Sequence, residues 1–378
     1  MLGHTKTRIA AVVATLALAV LTGCSSTSNS AGSSTGVDTS NGPSLKDLAS
    51  NEQKLPDLSP VKTEAGKNVW IVSCSLEAVG CAGLAGDIKS IMEDHLKWNV
   101  TMFDGKLTPA TYSAGINQAI VAHAAAIVLV AIDCSSVKTS LQKAKQAGIQ
   151  VVSVAGFDCP DPSQGGGESL FTSADLGGSP GKQFGASGTA LADYAAAQSK
   201  GKGKIVVATE PDFQVVVVEL EEFKKELAKV CPDCTIAAEA PALGADLANG
   251  SAAAKLNSIV LQHPEANLLV ALQDSQLPYV TNAMRTSTIK LPIIASGGTE
   301  ADIEMIKNGT IEGVMANDTA LSAWLVADTT ARLMAGAPTI QIDPVSTLVD
   351  KDRNLPASGP YVINTDYQAA FPKAWGVS

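Results

Sequence analysis

Residues 126–132, Ala-Ile-Val-Leu-Val-Ala-Ile, form an apolar run with no polar side chain to turn toward water. Such a strand fits a parallel sheet covered on both faces, because a sheet with one wet face alternates apolar and polar positions. Short apolar runs recur at 69–73, 98–103 and 149–154, with a helix-like segment between each and the next. Thr108 caps the second of these helices, with Pro109 at its first position. Tyr112, Ile116, Ala119, Ile120 and His123 then recur at helical spacing. Val137, Leu141 and Ala144 mark the third helix, and Gly148 ends it. Three successive strand–helix units predict a parallel, doubly wound sheet.

The cycle restarts after the glycine-rich loop 164–167. Helices are expected at 183–198, 215–230, 252–262, 279–286 and 301–307, with strands at 204–208, 235–239, 268–272, 293–295 and 313–315. A long helix over about 320–334 leads into an irregular tail. A stretch of about 310 residues is long for one core and comfortable for two lobes.

The beginning of the chain reads differently. Lys6 and Arg8 precede an apolar stretch, 9–21, which falls short of the roughly 20 residues needed to cross a hydrocarbon core. That is the anatomy of a secretory signal over 1–23. Leu21-Thr22-Gly23-Cys24 resembles a bacterial lipobox, which implies diacylation of Cys24 and extracytoplasmic anchoring to the cell membrane. Residues 24–66, rich in Ser, Gly, Thr, Asn and Asp as far as about 59, are expected to be a flexible tether.

Removal of Lys6 and Arg8 with the signal takes the formal charge from −10 to −12. A domain this acidic is a poor partner for nucleic acid or anionic lipid. Six cysteines remain: Cys74, Cys81, Cys134, Cys159, Cys231 and Cys234. An even count in an exported chain suggests disulfides, and six allow 15 connectivities. Proximity favours Cys74–Cys81, Cys134–Cys159 and Cys231–Cys234. The last pair has the spacing of a redox CxxC motif but falls between a helix and a strand. His95, His123 and His263 lie far apart without metal-binding spacing, and no nucleophile elbow or phosphate-binding loop occurs. Neither metal, cofactor nor catalytic activity is expected.

The stretch 102–152 resembles the first lobe of type I periplasmic binding proteins, the ribose-binding-like receptors of bacterial ABC importers. Its landmarks are Asp104-Gly105, Asn117-Gln118-Ala119, the apolar strand ending in Asp133, and Ala144-Lys145-Gln146-Ala147-Gly148-Ile149. Residues 256–274 are similar to the helix–strand pair of the second lobe, and the likeness spans about 67–378. The resemblance implies two Rossmann-like doubly wound lobes joined by a three-crossing hinge, with crossings near 173–175, Asn317 and 344–348. The first lobe is then 67–174 with 318–345, and the second 175–317 with 346–378. It also implies a monomer that takes a small molecule, a sugar or polyol by family, and delivers it to an ABC permease. A sensing receptor of the same fold that signals to a membrane partner is the alternative.

Ligands of such sheets sit beyond the carboxyl ends of the strands. The residues so placed are Glu77, Asp104, Asp133, Phe157, Asp158, Phe213, Gln273, Asp274 and Asn317, and Val79 adds an apolar position. Departures from the sugar-binding pattern are plain. The paired aromatics of the first loop are missing from 75–79, Ala155-Gly156 stands where Asp-Arg is usual, and Gly297 stands where an aspartate is usual. Beyond the signal the only arginines are Arg285, Arg332 and Arg353, none in a ligand loop. A less hydroxylated ligand is therefore also compatible with the pocket.

Overall fold

The computed structural model describes residues 40–174 and 179–377, with the backbone alone at Val79. Cys24 and the start of the tether lie outside them, as does part of the first crossing. After a short helix α1 (Leu45–Ala49), strands and helices alternate: β1 (Asn68–Ser73), α2 (Val79–Asp94), β2 (Asn99–Asp104), α3 (Pro109–Val121), β3 (Ala126–Val130), α4 (Cys134–Gln146) and β4 (Gln150–Val154). The second series is α5 (Pro180–Gln198), β5 (Lys204–Thr209), α6 (Gln214–Val230), β6 (Thr235–Pro241), α7 (Gly244–Asn249), α8 (Ala252–Gln262), β7 (Leu268–Ala271), α9 (Leu277–Thr286), β8 (Ile293–Gly297), α10 (Glu300–Lys307) and β9 (Gly313–Ala316). The chain closes with α11 (Thr319–Ala335), β10 (Thr347–Asp350) and α12 (Tyr367–Trp375).

The strands form two sheets. The first has the order β2-β1-β3-β4 and is parallel throughout. The second has the order β10-β9-β8-β7-β5-β6, parallel except for β10 on β9. All five residues of β3 are buried, as its unbroken apolar run requires. One apolar core surrounds the first sheet, and two cores cover the opposite faces of the second. On one of those faces α5 and α6 lie very close, and Gly188 makes this possible. A Cβ there would stand 2.2 Å from the Glu219 carbonyl oxygen.

The tail is irregular over 337–346 and 351–366 but carries β10 and α12, and α12 does not belong to the second lobe as the boundary at 346 implied. Tyr367, Phe371 and Trp375 of α12 join the core of the first sheet, Phe371 and Trp375 stacking on Trp324 of α11 and Tyr367 meeting it edge-on. The expected passages between lobes are thus joined by another, from β10 back to α12. Asp318 pins this arrangement by accepting hydrogen bonds from Leu321 N (3.0 Å), Ile363 N (3.1 Å) and the Tyr367 hydroxyl (3.0 Å).

The tether also ends earlier than expected, because residues 41–66 are built into the fold. Ser44 and Asp47 close a reciprocal cap on α1, and Leu48 inserts into the second lobe's core. Beside the hinge, the Thr347 hydroxyl donates to Asn51 O (2.8 Å), and Gln53 Oε1 accepts from Val345 N (3.0 Å). Further on, Arg332, wholly buried, donates to Asp328 (2.6 Å) and with its other nitrogens to Ser59 Oγ and Ser59 O (3.0 and 2.8 Å). Val61 then enters the first lobe's core. The segment is a strap across the hinge side that also covers the free edge of β10, a common protection for an exposed strand.

Candidate functional site

Parallel strands bring their carboxyl ends, and the loops that follow, to one end of each sheet. In the first lobe two disulfides shape these loops. Cys74–Cys81 closes the loop after β1 across 5.9 Å between Cα atoms, and Cys134–Cys159 ties the start of α4 to the loop after β4 across 5.2 Å. Both are pairs that proximity favoured. The third, Cys231–Cys234, lies at the opposite end of the second lobe, where Cys234 Sγ accepts from Gly203 N.

The first-lobe candidates divide by what already occupies them. Asp158 is taken up by its own loop: its carboxylate accepts from Cys159 N, Leu170 N, Phe171 N and the Ser169 hydroxyl, at 2.5–3.1 Å. Asp104 Oδ1 accepts from Leu76 N (3.0 Å) and Lys106 N (3.1 Å), so it joins the loops after β1 and β2. Phe157 is buried against the second lobe's core, next to α5, and serves as a contact between lobes. Glu77 is exposed at the tip of its loop. Asp133 stands at the N-cap of α4, but its side chain does not bond to that helix. Its Oδ1 accepts from Phe157 N (2.8 Å). Burial pushes its carboxyl upward, and burial together with the charge of Asp133 pushes the Tyr112 phenol up to about 12.

In the second lobe Phe213 caps α6 and touches the cores of both lobes. Gln273 donates to Glu219, a wholly buried residue of α6 that also accepts from the Ser296 hydroxyl at 3.0 Å. Ser187 of α5 lies 3.1 Å from Ser296, so four polar groups from α5, α6, β8 and the loop after β7 form one network. Burial pushes Glu219 up to about 8, opposed by those hydrogen bonds and helped by the charge of Asp274. Asp274 is held above the ordinary range by burial first and by Asp302 second.

Asp302 reaches back from α10 and accepts from Gly298 N and Thr299 N, both at 2.9 Å. Gly297 makes room for the two aspartates: a Cβ there would lie 2.6 Å from Asp302 Oδ2 and 3.1 Å from Asp274 Cβ. A carboxylate from α10 thus stands beside the position where the sugar-binding pattern has its own aspartate. Asn317 accepts from the Ser346 hydroxyl at 2.9 Å and so ties two hinge passages together.

Reasoning from the sequence passed over Glu210, Glu219, Tyr279 and Asp302. Glu210 follows β5 directly and is only 6% exposed, yet its carboxylate has no hydrogen-bond or ion-pair partner among the described residues. Burial, with Asp212 nearby, pushes it up to about 7. The neighbouring Tyr279 hydroxyl is buried and likewise without a partner. Glu210 was visible as a polar residue at a strand end. Glu219, inside a helix, gave no such signal. The lobes meet across the site: a Cβ on Gly80, at the start of α2, would lie 3.7 Å from Ser275 Cβ in the turn after β7. The clustered Cys134, Asp158 and Cys159 offer no free thiolates for a metal, since both sulfurs are in a disulfide.

The sequence matches the model of a periplasmic binding protein domain over residues 86–338, well over half of the chain. A comparison with curated proteins finds no match. Among solved structures, the fold is similar to that of a Caulobacter myo-inositol binding protein bound to myo-inositol (TM-score 0.63, 15% identity, covering 77% of this chain and 96% of that one). It is also similar to a 5-methylthioribose transporter solute binding protein from Thermotoga lettingae (TM-score 0.65, 14% identity, 81% and 98% covered). A third is an Agrobacterium vitis ABC transporter solute binding protein bound with α-D-tagatopyranose (TM-score 0.63, 17% identity, 76% and 95% covered). At these identities the likeness carries the fold.

Proposed function

The chain belongs to the periplasmic binding protein domain family, and from that premise we propose that it captures a small molecule between its lobes and delivers it to an ABC permease. What supports this reading is that each sheet carries polar side chains in the loops at the carboxyl ends of its strands, and that Gly80 of the first lobe faces Ser275 of the second. Asp133 belongs to the first lobe, and Gln273, Asp274 and Glu210 to the second. We read these as groups that bind a ligand. Structural neighbours that hold inositol, tagatopyranose and methylthioribose support a ligand of sugar or polyol size.

A ligand that prefers the closed arrangement stabilises it by its differential affinity, which is the most it can shift a hinge equilibrium. Lipidation of Cys24, which lies outside the described residues, would hold the protein on the outer side of the cell membrane. Among the described residues no helix is long and apolar enough to cross a membrane.

A thermal-shift screen of residues 25–378 against sugars, polyols, amino sugars and amines tests the reading. Excess ligand raises the unfolding midpoint by mass action, by about 2.7 kcal/mol of stability at a hundredfold excess over Kd. At least one compound of this size is expected to do so at one site per chain. A hit whose affinity is indifferent to changes in either lobe's cleft residues would contradict the proposal.

A further inference from the structure

Glu210 has an environment that the family resemblance does not account for. A buried carboxylate ordinarily has a cation or several hydrogen-bond donors to offset its lost hydration. Among the described residues Glu210 has neither, and the hydroxyl of Tyr279 close by has no acceptor. Beneath the loop after β7, Gln276 is fully buried, with Oε1 on Leu272 N and its Nε2 unpartnered. Glu210 directly follows β5, Asp274 and Gln276 lie in the turn after the adjacent β7, and Tyr279 is in the first turns of α9. The loops at this end of the second lobe (210–213, 272–276, 297–299 and residue 317) contain no lysine, arginine or histidine.

The three arginines among the described residues and Lys182 are engaged elsewhere. Arg285 donates to Asn282, Arg332 pairs with Asp328, Arg353 pairs with Asp350, and Lys182, at the start of α5, pairs with Asp343. Lys106, on the first lobe, is exposed. A neutral sugar closing into this end of the cleft would exclude water from Glu210 and Asp274 and supply no charge to either. A ligand with a protonated amine supplies a positive charge and the donors that a carboxylate without a cation lacks.

Resting on the binding-protein reading above, we propose that Glu210, Tyr279 and Asp274 form a subsite for the ammonium group of a small amine, such as an amino sugar or a short aliphatic amine. The ammonium donates to the Glu210 carboxylate and the Tyr279 oxygen beside it, and Asp274 on the neighbouring turn adds negative charge. The rest of the ligand lies toward Asp133 and Phe213.

Calorimetry on the whole extracytoplasmic chain tests this with D-glucosamine and putrescine against D-glucose and myo-inositol, at low and high salt. An amine is expected to bind while its neutral counterpart does not, with affinity that falls as salt screens the charges. Glu210→Gln keeps the shape and removes the charge, and it is expected to weaken amine binding about ten- to hundredfold. The same change is expected to leave the unliganded protein at least as stable at pH 8, because the carboxylate it removes has no partner. That separates loss of a binding group from loss of fold. Amine binding undiminished in Glu210→Gln overturns the subsite. Binding of a neutral sugar with no amine bound overturns the charge inference and leaves the binding-protein reading standing. Silence toward both series overturns the amine subsite and leaves the binding-protein reading to the wider screen above.

Discussion

Glu219 offers a stability test that needs no ligand. Its side chain is wholly buried under the cleft floor, held by Gln273 and Ser296, and its carboxyl is pushed from 4.5 to about 8, chiefly by burial. Between those two values the folded state holds a proton that the unfolded state has released. Stability therefore falls as pH rises through this window. The cost is absent below about pH 4.5 and complete above about 8. Each pH unit crossed inside the window costs about 1.4 kcal/mol, so Glu219 alone should cost on the order of 3 kcal/mol between pH 5.5 and 8.5.

Glu210 acts with the same sign, so the informative quantity is a difference. Urea unfolding followed by tryptophan fluorescence, at pH 5.5, 7.0 and 8.5, compares the wild type with Glu219→Gln. The variant is expected to gain on the wild type by about 3 kcal/mol over that range, whatever its packing cost at pH 5.5. A difference that stays constant with pH, or that moves the other way, would show that Glu219 is charged in the folded protein and would refute the reasoning.

The remaining predictions concern the hinge side and the anchor. Asp328→Ala leaves Arg332 buried without its carboxylate and removes the acceptor of Trp375 Nε1 (2.8 Å). A loss of about 3–5 kcal/mol is expected in chemical unfolding. A loss under about 1 kcal/mol would show that the strap and α12 are not held through this pair. Cys24→Ala is expected to move the protein from the membrane fraction to the soluble one on cell fractionation. Retention in the membrane would remove the lipid anchor from the proposal.

The sheets were legible because strands buried on both faces are written as unbroken apolar runs, and those runs survive without knowledge of their neighbours. The run 126–132 and its β3 differ only at the carboxyl end, where the chain turns toward the cleft. The three disulfides agree with the pairs that proximity favoured, since each joins segments already close in sequence or at adjacent strand ends. The strap was hidden for the opposite reason. Leu48 and Val61 are isolated apolar residues in a polar stretch, and their burial depends on grooves that other elements supply. Likewise the position of α12 is set by a stack on Trp324 from a helix more than forty residues earlier in the chain.

Within the site, the sequence pointed to strand ends but could not separate cleft groups from loop staples. Asp158 and Asp104 looked like ligand-binding carboxylates and are largely held by backbone N–H groups. Asp302 and Glu219, which lie on helices, reach the second-lobe site only through the close approach that Gly297 and Gly188 permit. Such approaches depend on tertiary geometry, which no local pattern encodes.

The most direct test of the central claim is calorimetric titration of the best ligand from the screen into three proteins: the wild type, Asp133→Asn in the first lobe and Asp274→Asn in the second. Asp133→Asn keeps an oxygen for Phe157 N, so its loop should hold. If the ligand bridges the two lobes, each variant should bind about tenfold or more weakly than the wild type while melting as a folded protein. Full affinity in either variant would mean that the ligand does not bridge the lobes as proposed.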